Sequence, residues 1–307
     1  MTQPSARLLT PIAAPAPGIG ERAAPFVLVA PMLALLIVFT ILPCLLTLVL
    51  AFFETDILAG TIRFVGLSNF AKAFARGDLV NSIGVTLFYM ALTVPTSMIF
   101  GLLVALGINS LGHGRVFWRA VYFLPVAATL VAMSIVWRWM FVGRRGLIDH
   151  MLGPLTGITD WLNSPGLALP AVAVVGNWQQ IGFIAILYLA ALAAVPRHQL
   201  EAARVDGANG WNRFWHVTWP AIGPTTVFAG IITSVNAMRV FDSVSTMTGG
   251  GPSRHSQTLA HLMWERGIYF FDIGGGSVVT LVLVALALIA TFLQRVLTAR
   301  LEKAGSR

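Results

Sequence analysis

Apolar residues fall in six long runs, roughly 26–52, 82–109, 118–139, 168–195, 219–245 and 276–297, separated by shorter polar segments. A helix rises about 1.5 Å per residue, so about 20 apolar residues cross a hydrocarbon core of about 30 Å. Each run is long enough. The pattern predicts an all-α membrane protein with six transmembrane helices. Trp118 and Trp139 bracket the third run, as anchors at the two headgroup layers would. Pro31, Pro43, Pro95 and Pro125 lie inside the runs; neighbouring helices and hydroxyl side chains in a bundle can satisfy the carbonyls that they free. The fifth run is the most polar, with Asn236, Arg239 and Asp242.

The first run is too long for the apolar region of a signal peptide, about 7–15 residues, and is expected as a retained helix. Ahead of it, residues 1–25 are rich in Pro and Ala and predict a flexible tail. Residues 26–307 then form one membrane domain.

One polar insert breaks the pattern: HQLEAARVDGANGWNRFWHVTWP, residues 198–220, between the fourth and fifth runs. Pro196 ends the fourth run. Leu200 to Arg204 favour a short helix, which Gly207 can close in the left-handed conformation. Glu201 and Arg204 are neighbours on it. Trp211, Phe214, Trp215, Thr218 and Trp219 follow at helical spacing, an aromatic stripe suited to the headgroup layer. Two readings are open: a small helix presented to the cytosol from an interfacial anchor, or a solvated connecting loop with a helical turn.

Composition supports lipid as the solvent. Of the 307 residues, 57% are hydrophobic and only 10% charged, against about 25% charged in soluble domains. The net charge of +8 is spread over short inter-run segments rather than gathered in one patch, which argues against nucleic acid. Lys and Arg are denser on the side that holds the N-terminus. Both termini and the insert are therefore expected in the cytoplasm. The lone Cys44 rules out an internal disulfide framework.

Several chemistries lack their motifs. Lys72 and Lys303 are the only lysines and neither follows a glycine, so there is no phosphate-binding loop for ATP. The six histidines are scattered, and no metal or catalytic residue can be nominated. No internal repeat of the kind found in many ion-coupled secondary transporters is visible.

The stretch EAARVDGANGWNRFWHVTWP resembles the cytoplasmic loop of bacterial ABC-importer permeases, whose pattern is E-A-A, three residues, G, nine residues, then I-x-L-P. Glu201, Ala202, Ala203, Gly207 and Pro220 match it; Val217 and Trp219 stand at the Ile and Leu positions. FVGLSNF (64–70), FLP (123–125) and FDSVSTMTGGGPSRHSQTL (241–259) are similar to the carbohydrate branch, of maltose or glycerol-phosphate type. The resemblance implies a non-enzymatic permease subunit of the bacterial plasma (inner) membrane. Glu201, Ala202, Ala203, Arg204, Asp206 and Gly207 would form a coupling helix that docks on an ABC ATPase dimer, where ATP and Mg are bound. This chain would carry no cofactor. A second, non-identical permease and an extracytoplasmic solute-binding protein complete the implied assembly. The expected solute is a sugar or oligosaccharide, with glycerol 3-phosphate or a glycerophosphodiester as the alternative and an ion-coupled secondary transporter as a more distant one.

Intramembrane polar residues usually face a pathway or a partner. Asn177, Trp178, Gln179 and Gln180 interrupt the fourth run with amides and an indole that suit a hydroxylated solute; Trp178 also reads as an ordinary packing residue. Tyr188 lies further along the same run. In the fifth run Asn236, Arg239 and Asp242 are three apart and would share one helix face, as a structural ion pair or as a polar lining. Gly249, Gly250, Gly251 and Pro252 form either a flexible external turn or, by the resemblance, a loop near the docked binding protein. Arg144 and Arg145 are either solvated or opposite acidic groups of that protein.

Overall fold

The computed structural model describes residues 19–56, 60–143, 145–158 and 160–305. Residues 1–18 of the expected tail and Arg144 lie outside the described residues. The contacts divide the chain into two units, Met1–Thr47 and Leu48–Arg307.

In the first unit, helix α1 (Ile19–Leu36) starts inside the segment expected as tail, so residues 19–25 are helical. A π turn (Ile37–Ile41) joins α1 to α2 (Leu42–Leu50). Pro43 has no N–H to give, and its ring would strike the carbonyl four residues earlier in a regular helix. The wider turn relieves this: the Leu42 N–H reaches back five residues to the Ile37 carbonyl.

The second unit opens with a feature that the apolar pattern does not predict. Strands β1 (Phe53–Asp56) and β2 (Thr61–Phe64) pair antiparallel, Glu54 opposite Arg63. Asn69, on α3 (Ser68–Ala75), pins the hairpin by donating to the carbonyls of Ala51 (3.0 Å) and Phe53 (2.9 Å).

Two long helices form the axis of the core: α4 (Asp78–Ser110) and α8 (Ala168–Ala194). Glycines permit their close approach. A Cβ at Gly101 would fall 2.5 Å from Ile184 Cγ2, and one at Gly176 would fall 2.2 Å from the Tyr89 hydroxyl. Tyr188, Ile184 and Ile222 fill one apolar cluster; Tyr89, Val172, Val175 and Val244 fill another. Helix α9 (Arg197–Val205), short helix α10 (Gly210–Arg213) and a second π turn (Phe214–Thr218) lead into α11 (Trp219–Met238). This turn has the same relation to proline as the first: the Trp219 N–H donates to Phe214, and Pro220 follows. The chain continues through α12 (Asp242–Met247), α13 (Leu259–Trp264), a third π turn (Glu265–Tyr269) and α14 (Ile273–Gly305).

Among the described residues, five helical segments are long and apolar enough to cross a membrane: Val27–Leu50, Asp78–Ser110, Ala168–Ala194, Gly210–Met247 and Ile273–Val296. The third expected run is not one helix. It is split into α5 (Arg115–Ala127) and α6 (Leu130–Phe141), bent by 97°. Pro125 removes one ladder donor, and Ala128 and Thr129 are extended, with ψ of 146° and 137°. Thr129 then caps α6, its hydroxyl accepting from Ala132 N–H at 3.4 Å. The short helix α7 (Leu147–Thr156) links α6 to the segment before α8. The fifth run also ends early: α11 stops at Met238, and the chain breaks before α12.

Candidate functional sites: an exposed helix and a polar cavity

The polar insert folds as a helix with a built stop. Pro196 precedes the first residue of α9, where its missing N–H costs nothing. At the other end Gly207 is left-handed, with φ 77°. The Ala208 N–H donates to Ala203 O (2.9 Å) and the Gly207 N–H to Arg204 O (3.1 Å). This pair of bonds is a Schellman closure, which satisfies carbonyls that the helix leaves open. Asn209 starts the next helix, its side chain accepting from Asn212 N–H at 2.8 Å.

Leu200, Val217 and Trp219 root this region against the cluster that holds Val195 and Ile222. Glu201, Ala202, Arg204, Asp206 and Gly207 are exposed and Ala203 is half-buried. Among the described residues no ion pair joins Glu201 to Arg204. Ala202, Ala203 and Asp206 line an open groove of about 680 Å³, with His216, Val217 and Pro220 opposite. The sequence reading passed over Val205, an apolar side chain left 88% exposed at the tip of α9. The aromatic stripe is continuous: Trp211 meets Trp215 (5.6 Å between centroids), and Trp215 meets Trp219 (5.7 Å).

The second site is a cavity of about 440 Å³ between α4, the bend of α5 and α6, α8 and the end of α11. It brings together Gln179, Gln180, Asn236, Arg239 and Asp242. Tyr89, Thr93 and Thr233 add polar groups to its wall. The Thr93 and Thr233 hydroxyls donate to carbonyls of their own helices, Tyr89 O (2.9 Å) and Ala229 O (2.7 Å). Arg239 stands at the C-cap of α11 and Asp242 opens α12, so they do not share one helix face as their spacing suggested. No ion pair joins them among the described residues. Gln179 has a structural partner: its Nε2 donates to Pro125 O (3.3 Å) and Ala128 O (3.1 Å), two carbonyls of the break.

The remaining pathway candidates lie elsewhere. Tyr188 is buried beside Ile184, where its hydroxyl meets Thr226. Trp178 packs edge-on against Trp137, 5.8 Å away. Asn177 is half-buried and not in the cavity wall.

The Gly-rich loop is braced. Gly249 and Gly250 take φ of 59° and 81°, a region that favours glycine. A Cβ at Gly250 would stand 3.0 Å from the His261 ring. The Ser256 hydroxyl donates to Gly251 O (2.5 Å) and bonds to the Thr248 hydroxyl (2.8 Å). Gly251 and Pro252 are half-buried and Gly249 is exposed. Burial pushes the pKa of His261 below its usual value, against the opposing pull of the Glu265 carboxylate. Arg145 is exposed. A cluster that spacing did not reveal lies at the start of α4: Asp78, with its side chain 3% exposed, holds Arg266 directly and Arg254 at 3.2 Å.

Residues 64–303 match the family described as "Binding-protein-dependent transport system inner membrane component". The sn-glycerol-3-phosphate transport system permease protein UgpA of Rhizobium meliloti (strain 1021) is 30% identical over 271 residues, 88% of this chain and 92% of that protein. The sulfoquinovosyl glycerol transport system permease protein SmoG of Agrobacterium fabrum is 31% identical over 276 residues, 89% of each chain. The fold is similar to a chain of a bacterial ABC transporter involved in the import of the acidic polysaccharide alginate, with a TM-score of 0.80, 20% identity, and coverage of 92% of this chain and 97% of that one. A family match over most of the chain, with relatives aligned nearly end to end, makes this protein a member of the binding-protein-dependent transport system inner membrane components.

Proposed function

We propose that this chain is one of two non-identical permease subunits, with six spans once the bent α5–α6 pair is counted as one. As a member of its family it is a non-catalytic, multi-pass inner-membrane subunit of an ABC importer, and ATP hydrolysis resides on a partner. In this reading α9 lies on the cytoplasmic side and is the coupling helix, formed by Glu201, Ala202, Ala203, Arg204, Asp206 and Gly207. A dimer of ABC ATPases grips it. ATP closes that dimer and carries α9 with it, so that the spans turn from inward-facing to outward-facing. An extracytoplasmic binding protein then delivers solute near Gly249–Pro252, and hydrolysis resets the cycle.

The observation that carries this reading is the form of α9: a short, exposed helix with small side chains on a groove, closed by Gly207 and rooted by Leu200. A helix closed and rooted in this way is suited to rigid-body motion. A cysteine at position 202 should crosslink to the ATPase in an intact importer. Failure to crosslink, with transport retained, would remove the coupling role.

For the solute, we place glycerol 3-phosphate or a glycerophosphodiester ahead of a neutral sugar. Relatives matched over most of this chain are glycerol-3-phosphate permeases from several bacteria, which supports the phosphate ester. The cavity holding Gln180, Asn236, Arg239 and Asp242 is the proposed path. Uptake of labelled sn-glycerol 3-phosphate and of maltose by the reconstituted importer separates the two solutes.

A further inference from the structure

We infer that Arg239 and Asp242 form a two-ended selectivity site in the permease cavity, Arg239 for the anionic group of the solute and Asp242 for its hydroxyls. The inference rests on the reading of this cavity as the solute path, and it assigns a choice of solute to the permease itself. Its first support is a contrast in pairing. Three carboxylates of the second unit hold cations, Asp78 with Arg266 and Arg254, Glu54 with Lys72 and Arg63, Asp272 with Arg76, whereas among the described residues Glu201 and Asp206 stand unpaired at exposed positions. Arg239 and Asp242 line one cavity and form no ion pair, with each other or with any other described residue. Asp242 is half-buried and Arg239 exposed at this open cavity, and at membrane depth unpaired ionisable groups are costly unless a ligand or an ion pathway uses them.

The second support is the inventory of the wall. Among the described residues of the wall, Arg239 is the only cation and Asp242 the only anion. The Gln179 amide donates to the carbonyls of the break, and the Thr93 and Thr233 hydroxyls donate to their own helices. Strong donation to a charged solute therefore falls to Arg239, whose planar fork suits phosphate, sulfonate or carboxylate. Strong acceptance from hydroxyls falls to Asp242. Gln180 and Asn236 are amides able to serve either end. The third support is the backbone. The helix break between Met238 and Asp242 allows two residues three apart in sequence to face one cavity without closing on each other. The volume, about 440 Å³, suits a small polyol ester or glycoside rather than a long oligosaccharide. The ligand class is an anionic polyol.

The test uses the complete importer with its binding protein, in vesicles of neutral lipid so that no anionic headgroup competes for Arg239. Uptake is measured at saturating solute, where the binding protein is fully loaded and its own preference drops out. The probes are sn-glycerol 3-phosphate, a sulfonated sugar glycoside and a uronate, against glycerol and maltose. Arg239→Gln should lower the saturated rate for the transported anionic probe about tenfold or more, and Arg239→Lys should restore much of it. Asp242→Asn should slow the same probe. Equal rates in wild type, Arg239→Gln and Arg239→Lys, with the assembled complex quantified, would overturn the inference and leave the phosphate-ester reading standing. Arg239-dependent uptake of the sulfonate or uronate alone would support the inference and overturn the phosphate ester. Uptake of neutral probes only would overturn both.

Discussion

Gln179 donates to the carbonyl of Ala128 at 3.1 Å, from the middle of one long helix to the break in another. The same amide reaches Pro125 O. The bend frees backbone carbonyls from the helical ladder, and the Gln179 side chain supplies a donor to them. Gln179→Leu should destabilise the protein by about 1–3 kcal/mol. Thermal unfolding in detergent checks this; an unchanged midpoint would mean that the break holds without the amide.

Two glycines on α8 make opposite predictions for rescue. At Gly176 a Cβ meets the end of the Tyr89 side chain, 2.2 Å away. Gly176→Ala should cost about 1–3 kcal/mol, and adding Tyr89→Phe should recover part of it. At Gly182 a Cβ meets a backbone oxygen, that of Tyr122, at 2.0 Å. No side-chain trimming relieves that contact, so Gly182→Ala should be the more damaging change. A double-mutant cycle measured by thermal melts distinguishes the two.

Gly207 closes α9 with φ 77°. Gly207→Ala should cost about 1–2 kcal/mol, while Gly207→Asn, which tolerates this conformation, should cost less. If α9 is the coupling helix, the alanine variant also lowers solute-stimulated ATP hydrolysis in the assembled importer. Wild-type stimulation with Gly207→Pro would contradict that role.

Asp78 sits between Arg266 and Arg254. Removing Asp78 leaves Arg266, 18% exposed, without its carboxylate, and costs about 3 kcal/mol, the low end for a buried pair. Asp78→Leu should therefore lower the melting temperature strongly. Replacing Arg254, which is half exposed and 3.2 Å away, should do so much less.

His261 supplies a pH dependence with a defined sign. Its folded-state pKa is lowered, chiefly by burial, so the unfolded chain takes up a proton first. Stability should fall as pH drops below about 6.5 and level off below the folded pKa. His261→Gln should flatten that part of a melting-temperature profile.

The apolar runs were legible because lipid requires long uninterrupted stretches, and the left-handed closure at Gly207 because few residues other than glycine accept that geometry. The break in the third run was not. Pro125 is visible in the sequence, yet Pro95 sits within an unbroken α4, so a proline alone does not decide. What decides is the extended pair Ala128–Thr129 and the donor that Gln179 brings from 51 residues away. The Asp78–Arg266 pair, 188 residues apart, leaves no local trace in the sequence. Within the cavity, residue type pointed to five of its polar members. Periodicity misplaced Arg239 and Asp242 on one helix face, because it assumed a helix that ends at Met238.

The π turn before Pro220 leaves the chain one spare residue at the entrance to α11. If that residue moves along the helix, only the residues it passes turn by about 100° about the axis, while the chain on either side keeps its mutual orientation. The joint between the exposed segment and the long helix can thus re-face a few side chains without unwinding either neighbour.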